Sequence, residues 1–235
     1  MSSIYYASAY SEIWGNPDLK PMSEYDINLI WQLNHKYTFT AFAMLEPDYF
    51  VQMAYQPSDR MAVIMKQTNF DYSNYFGLQG SAQFNVGSWL NGNVMVTALY
   101  RHDKTSFFDL PIDRTCFTGI IGGMAVFKFS QKHNIQFILN PFFQTKAIQG
   151  VYDIDPLLRL NATLRYTSKD GKWSLVAKGE NILNAHIDTR STIVNQDYAM
   201  RVWMPYTNYS LTAIYRIGNF NEKKKKGVDT SRMGY

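Results

Sequence analysis

Residues Leu158–Tyr166 read LRLNATLRY, and one parity is Leu158, Leu160, Ala162, Leu164, Tyr166 while the other is Arg159, Asn161, Thr163, Arg165. A strict period of two is the signature of a β-strand with one apolar and one polar face, because successive side chains point to opposite sides. The same division recurs in both directions along the chain. Tyr209, Leu211, Ala213, Tyr215 and Ile217 stand against Asn208, Ser210, Thr212 and Arg216. Phe76, Leu78, Ala82, Phe84 and Val86 stand against Gln79, Ser81, Gln83 and Asn85. Val94, Val96, Ala98 and Tyr100 oppose Asn93, Thr97 and Arg101, and Trp173, Leu175 and Ala177 oppose Ser174, Lys178 and Glu180. Tyr25, Ile27, Leu29, Trp31 and Leu33 form one further apolar side, and Phe117, Ile121, Ala125, Phe127 and Phe129 another.

Two-faced strands occur in water-soluble sheets as well, so the placement of charge decides what the apolar face meets. An Arg or Lys facing lipid at mid-membrane costs about 2 to 4 kcal/mol, and facing a wet lumen it costs little. None of the apolar-parity positions above is charged, whereas the opposite parity carries Asp26, Arg101, Lys128, Arg159, Arg165, Lys178, Glu180 and Arg216. The connections alternate too. Short polar turns are expected at Asn34-His35-Lys36, around Leu90-Asn91-Gly92, at residues 130–134 and at Ser168-Lys169-Asp170-Gly171. Longer ones are expected about Gln56 to Arg60, His102 to Thr115, Lys146 to Asp155 and Asn184 to Asp197. Trp31, Tyr37, Phe84, Phe129, Tyr166 and Trp173 flank the short turns, where an interfacial aromatic girdle belongs. Together these features predict an all-β chain: an antiparallel transmembrane β-barrel segment of about 9 to 12 strands, with short periplasmic turns and longer extracellular loops.

Composition agrees by exclusion. Hydrophobic residues are 46% of the 235, yet the mean hydropathy is −0.28, so apolar residues are interleaved with polar ones. No uninterrupted apolar run approaches the roughly 18 to 20 residues a spanning helix requires. The aromatic content of 16% suits pleated surfaces and interface belts. The lone Cys116 excludes an intrachain disulfide. The formal charge of +4 equals what Lys223 to Lys226 supply, so the body carries no nucleic-acid footprint. The start, MSSIYYASAYSEIWGNPDLKP, lacks the basic and apolar regions of a secretory signal, so for a barrel the export signal is expected upstream of Met1 or is missing.

Three stretches carry a family resemblance. Gly15 to Pro21, GNPDLKP, resembles a segment that precedes a strand in the barrels of TonB-dependent receptors; Leu175 to Asn184, LVAKGENILN, resembles their penultimate strand and its exit; Tyr209 to Asn219, YSLTAIYRIGN, resembles their closing strand. With the Lys-rich tail, the chain resembles the C-terminal part of such a barrel of the Bacteroidota type. The resemblance implies outer-membrane lipid as surroundings and energised nutrient uptake. It also implies a missing N-terminal barrel half and plug, and contact with the TonB complex through that N-terminal region. Residues 1–219 are then barrel and 220–235 a basic polar tail.

About nine or ten strands are countable, depending on whether bends near Glu46-Pro47-Asp48 and Asn69 to Asn74 divide long ones. Plugged transporters close with about 22. The alternative is a self-contained small pore or structural barrel, with Met1 to Ser11 adding a strand to make the count even. A hydrolase is the third reading, resting on His102-Asp103 and His186-Asp188 in expected loops, but no serine in a nucleophile elbow accompanies them. The four histidines, His35, His102, His133 and His186, share no ligand spacing. No catalytic, cofactor-binding or metal residue is assigned, and no enzyme is expected. Asp109, Asp113, Asp153 and Asp155 are candidates for an acidic rim, and Arg101, Arg159, Arg165 and Arg216 for lumen-facing cations.

Overall fold

The computed structural model describes residues 3–130, 134–191, 198–202 and 206–217. Nine strands form one antiparallel sheet: β3 (Tyr25–Leu33), β4 (Tyr37–Pro47), β7 (Tyr72–Val86), β8 (Leu90–Phe107), β9 (Leu110–Ser130), β10 (Ile135–Gln144), β13 (Leu157–Thr167), β14 (Trp173–Glu180) and β17 (Asn208–Tyr215). Neighbours in space are neighbours in chain order, with β3 at one edge and β17 at the other. Eight further strands lie beyond the long-connection end. β1 (Ile4–Ser8), β2 (Ser11–Trp14), β5 (Phe50–Tyr55) and β6 (Val63–Asn69) make a sheet in the order β1-β2-β6-β5. β11 (Ala147–Gln149), β12 (Tyr152–Ile154), β15 (Ile187–Ser191) and β16 (Tyr198–Val202) make another, in that order.

The register joins the apolar parities into one continuous face. Trp31 pairs with Phe39, Phe39 with Gly80, Gly80 with Val96, Val96 with Ile121, Ile121 with Phe143 and Phe143 with Leu158. Farther along, Tyr166 pairs with Leu175 and Leu175 with Ala213. A one-residue slip at any pairing would turn a whole strand inside out. This face is uncovered: Leu29, Leu78, Phe117 and Leu211 are 73%, 66%, 74% and 79% exposed. A contiguous apolar surface of this kind needs a nonaqueous neighbour. The aromatics of the short-turn end share the face, where Trp31 stacks on Phe39 at 5.6 Å and Trp173 lies against Tyr215 at 4.6 Å.

The packed core sits elsewhere. Met53, Ala54, Phe70, Phe107, Ile112, Val151 and Tyr152 are buried together where β5, β6, the β8–β9 hairpin and the β11–β12 hairpin meet. These parts form a cap at the long-connection end. The bends predicted near Glu46 and Asn69 are where the chain leaves the nine-stranded sheet for the cap and returns to it.

Several connections differ from the expectation. His102 to Thr115 is no loop: β8 and β9 stay paired up to Phe107 and Leu110, and only Phe108 and Asp109 turn, both at positive φ (49° and 61°). Two consecutive left-handed residues make the tight turn whose twist suits a hairpin. The unusual φ of Phe108 is held by its stacking on Tyr55 at 4.3 Å and its edge contact with Trp14 at 5.8 Å. Lys146 to Asp155 is likewise mostly the β11–β12 hairpin, and Asn184 to Asp197 contains β15, with residues 192–197 outside the described ones. The turn expected around Leu90 lies three residues earlier, at Gly87 to Trp89. Asn34-His35 (φ 52° and 51°) and Ser168–Gly171 turn as predicted; residues 131–133 and the tail from 218 lie outside the described residues.

Candidate functional site: the polar face and the Asp103 knot

The polar parity forms the opposite face of the nine-stranded sheet. Across β9 to β13 it presents Lys128, Gln136 and Arg165 in one register row. Arg159 lies farther along β13, its guanidinium 5.3 Å from the Phe142 ring. Among the described residues, Lys128, Arg159 and Arg165 have no carboxylate within ion-pair distance, whereas Lys178 meets Glu180 at 2.6 Å. A depression of about 430 Å³ near the short turns is lined on this face by Ser81, Gln83, Asn85, Asn91, Asn93 and Met124. Phe42, also on this face, lies over Gly77, where a Cβ would meet its ring at 2.2 Å.

Toward the cap the face becomes buried and charged. Asp103 is 0% exposed; its Oδ1 accepts from Ser73 Oγ (2.8 Å) and Arg101 Nε (2.7 Å), and its Oδ2 accepts from the backbone N–H of Gly150 (2.9 Å). The carboxylate thus joins β7, β8 and the tip of the β11–β12 hairpin. The Arg101 guanidinium carbon lies 4.7 Å from the Tyr75 ring centre and 5.7 Å from that of Tyr49. Gly150 has φ +56°, and a Cβ there would come within 2.9 Å of Met53 Sδ and 3.0 Å of Phe70 Cζ. Only glycine fits that wedge. Arg114 donates to the Gly150 carbonyl at 3.0 Å and pairs with Asp153, so the hairpin is tied from both sides.

Most carboxylates of the expected acidic rim have local partners. Asp113 receives His102 Nε2 at 2.7 Å, Asp153 pairs with Arg114, and Asp155 lies 3.7 Å from Arg190 Nη2. Asp109 occupies the hairpin turn. His102 stands in a strand, not a loop, with its ring edge-on to Tyr72 at 5.1 Å. His186 lies just before β15 and contacts Asp188 at 3.1 Å. His102 and His186 therefore contact separate carboxylates, one on β8–β9 and one at β15.

Asp188 also accepts from Arg201 Nε (2.6 Å) and Nη2 (3.0 Å) across the β15–β16 pair. Hydrogen bonding to Arg201, with the charges of Arg201 and His186, holds its carboxyl below the ordinary value despite some desolvation. A depressed folded-state value means that this stabilisation is complete above the unfolded carboxylate range and fades as pH falls through the lowered value. Acidification is therefore expected to lower the amide protection factors of β15 and β16, taken relative to the intrinsic exchange rate at each pH, and Asp188→Asn should remove that pH dependence while leaving the nine-stranded sheet unchanged.

The family-like stretches have local explanations that residue patterns alone missed. In Gly15–Pro21, Asn16 Nδ2 donates to the Gln67 carbonyl (2.9 Å), while Asn69 bridges Lys20 N, Lys20 O and Asp48 O at 2.8, 3.0 and 2.7 Å. The stretch is thus a strap that carries the chain from the cap to β3. In the exit from β14, Asn181 and Asn184 both take positive φ (49° and 51°), a conformation asparagine tolerates. Asn181 is 1% exposed; its side chain bonds both the N–H and the carbonyl of Ala185, and its backbone carbonyl accepts from Thr207 Oγ1. Replacing Asn181 with Ala should destabilise this turn by about 1 to 3 kcal/mol, the penalty for orphaned buried hydrogen-bonding groups, read as faster exchange at Ile182 to Ala185.

A sheet of nine antiparallel strands in chain order among the described residues, apolar and uncovered on one face and polar on the other, defines a membrane β-barrel wall. Residues 2–219 match the model of the outer membrane protein beta-barrel family, and the chain belongs to that family. It is a protein of the bacterial outer membrane. No curated protein and no solved structure matches it.

Proposed function

We propose that this sheet is the C-terminal part of the barrel of a TonB-dependent-receptor-type transporter, of the Bacteroidota kind, serving energised uptake of a scarce nutrient. The observation that carries the reading is the open wall itself: both edges are unpaired among the described residues, while the inner face holds Lys128, Arg159 and Arg165 without carboxylate partners. A wall of that kind suits a wide barrel whose remaining strands and plug lie in other sequence. The order of GNPDLKP, LVAKGENILN and YSLTAIYRIGN supports the receptor type.

The proposed protein binds and moves its ligand without covalent chemistry. His102 and His186 are engaged with separate carboxylates, which supports this over a hydrolase. A self-contained passive barrel draws no support from Ile4–Ser8: that strand pairs with β2 in the cap sheet instead of extending β3. The test is a comparison of nutrient depletion from defined medium by wild-type cells, cells lacking the gene and cells lacking TonB. The expected result is loss of the same nutrient's uptake in both mutants. Uptake that needs the gene but persists without TonB would overturn the energised mechanism.

A further inference from the structure

We infer that the strands completing this barrel are odd in number, that the first and last of them run away from the short-turn end, and that they do not come from a second copy of this chain. The inference rests on the reading of the sheet as part of a larger barrel and adds what must fill its gap. Its basis is direction. β3 runs into the short turn at Asn34, and each following strand reverses, so β7, β9, β13 and finally β17 also run toward the short-turn end. With nine strands, the two edges are parallel to each other.

Edge strands in lipid cannot stay open, because the hydrocarbon offers no water to hydrogen-bond the unpaired backbone groups. Direct closure of β3 on β17 would require a parallel pairing. Bacterial barrels of one chain are antiparallel throughout with an even strand count. Two copies fail for the same reason. A two-fold axis along the barrel sets β17 of one copy beside β3 of the other, again parallel. A two-fold axis in the membrane plane makes the seams antiparallel, but it sends the cap of one copy to the opposite side of the membrane. The remaining occupant is a run of strands with the same alternation, starting and ending opposite in direction to β3 and β17.

The test uses the full gene product in its native outer membrane, with a photoactivatable benzophenone side chain placed in turn at Asn28, Ile30 and Gln32 of β3, and at Ser210 and Thr212 of β17. Thr40 of β4, between Ile30 and Gln79, is the positive control. Crosslinked peptides are identified by mass spectrometry, with isotope-mixed cells to tell intermolecular from intramolecular products. Both edges are expected to capture sequence outside residues 3–217. As the probe moves from Asn28 to Gln32, the captured site should move toward its own N-terminus, as antiparallel pairing requires. Capture of β17 by β3, a partner site moving toward its C-terminus, or no polypeptide captured at the edges while Thr40 crosslinks, would each overturn the inference. None of these results depends on whether uptake is energised, so failure of the transport reading would be seen separately.

Discussion

Replacing Asp103 with Ala is expected to unfold the cap while leaving the membrane wall in place. The carboxylate is fully buried and is the shared acceptor for Ser73, Arg101 and Gly150. Removing one partner of a buried ion pair costs about 3 to 5 kcal/mol, chiefly because the other charge is left unpaired in a dry site. Here the abandoned charge is Arg101, whose side chain is 10% exposed and whose Nη2 already lacks a partner among the described residues. The measurement is limited proteolysis of the full gene product in detergent. Cleavage should appear at Gln56 to Ala62 and around Gly150, with strands β7 to β10 still protected. The double change Arg101→Met with Asp103→Ala should cost less than the two single changes added together, because the residues act as one unit. A cap as resistant as wild type in Asp103→Ala would show that the apolar core alone holds it.

The second large effect separates the two faces. Leu78 lies in the register row Leu29, Ala41, Leu78, Ala98, Gly119 on the apolar face and is 66% exposed. Leu78→Arg should destabilise the membrane-inserted protein by about 2 to 4 kcal/mol if this row lies near the midplane. Gln79→Arg, one residue away on the polar face, should change stability by only a few tenths, as wet surface substitutions generally do. Folding of the full gene product into lipid vesicles at graded urea concentrations reads both. Equal penalties would mean that both faces meet the same environment and would remove the reason for placing lipid on the Leu78 side.

The face assignment was legible in the sequence because it is local. Period two is a property of each strand by itself, and the register confirms that Leu158, Leu164, Tyr209 and Leu211 share a side with Leu29 and Leu78. The cap was not legible, and the reason is the distance between its parts. β2 pairs in parallel with β6, about fifty residues on, and Gly150 meets Asp103 across forty-seven. No local period announces either contact. His102 to Thr115 carries His, Asp, Lys, Pro and Arg, which reads as a wet loop. Above the membrane a hairpin has no lipid to sort its faces, so those polar side chains could be placed against one another, His102 against Asp113 and Arg101 against Asp103.

The lengths of β8 and β9 have a further consequence. β9 spans 21 residues and β8 18, whereas a tilted strand needs only about 9 to 11 to cross the hydrocarbon. Some ten residues of β9 therefore stand clear of it, a rise of roughly 25 Å at 3.3 Å per residue with the tilt included. Phe107, Ile112 and the hairpin tip are carried to that height. Among the described residues, what is carried beyond the headgroups here is thus a hydrogen-bonded hairpin seated in a packed apolar core, not an unpaired loop.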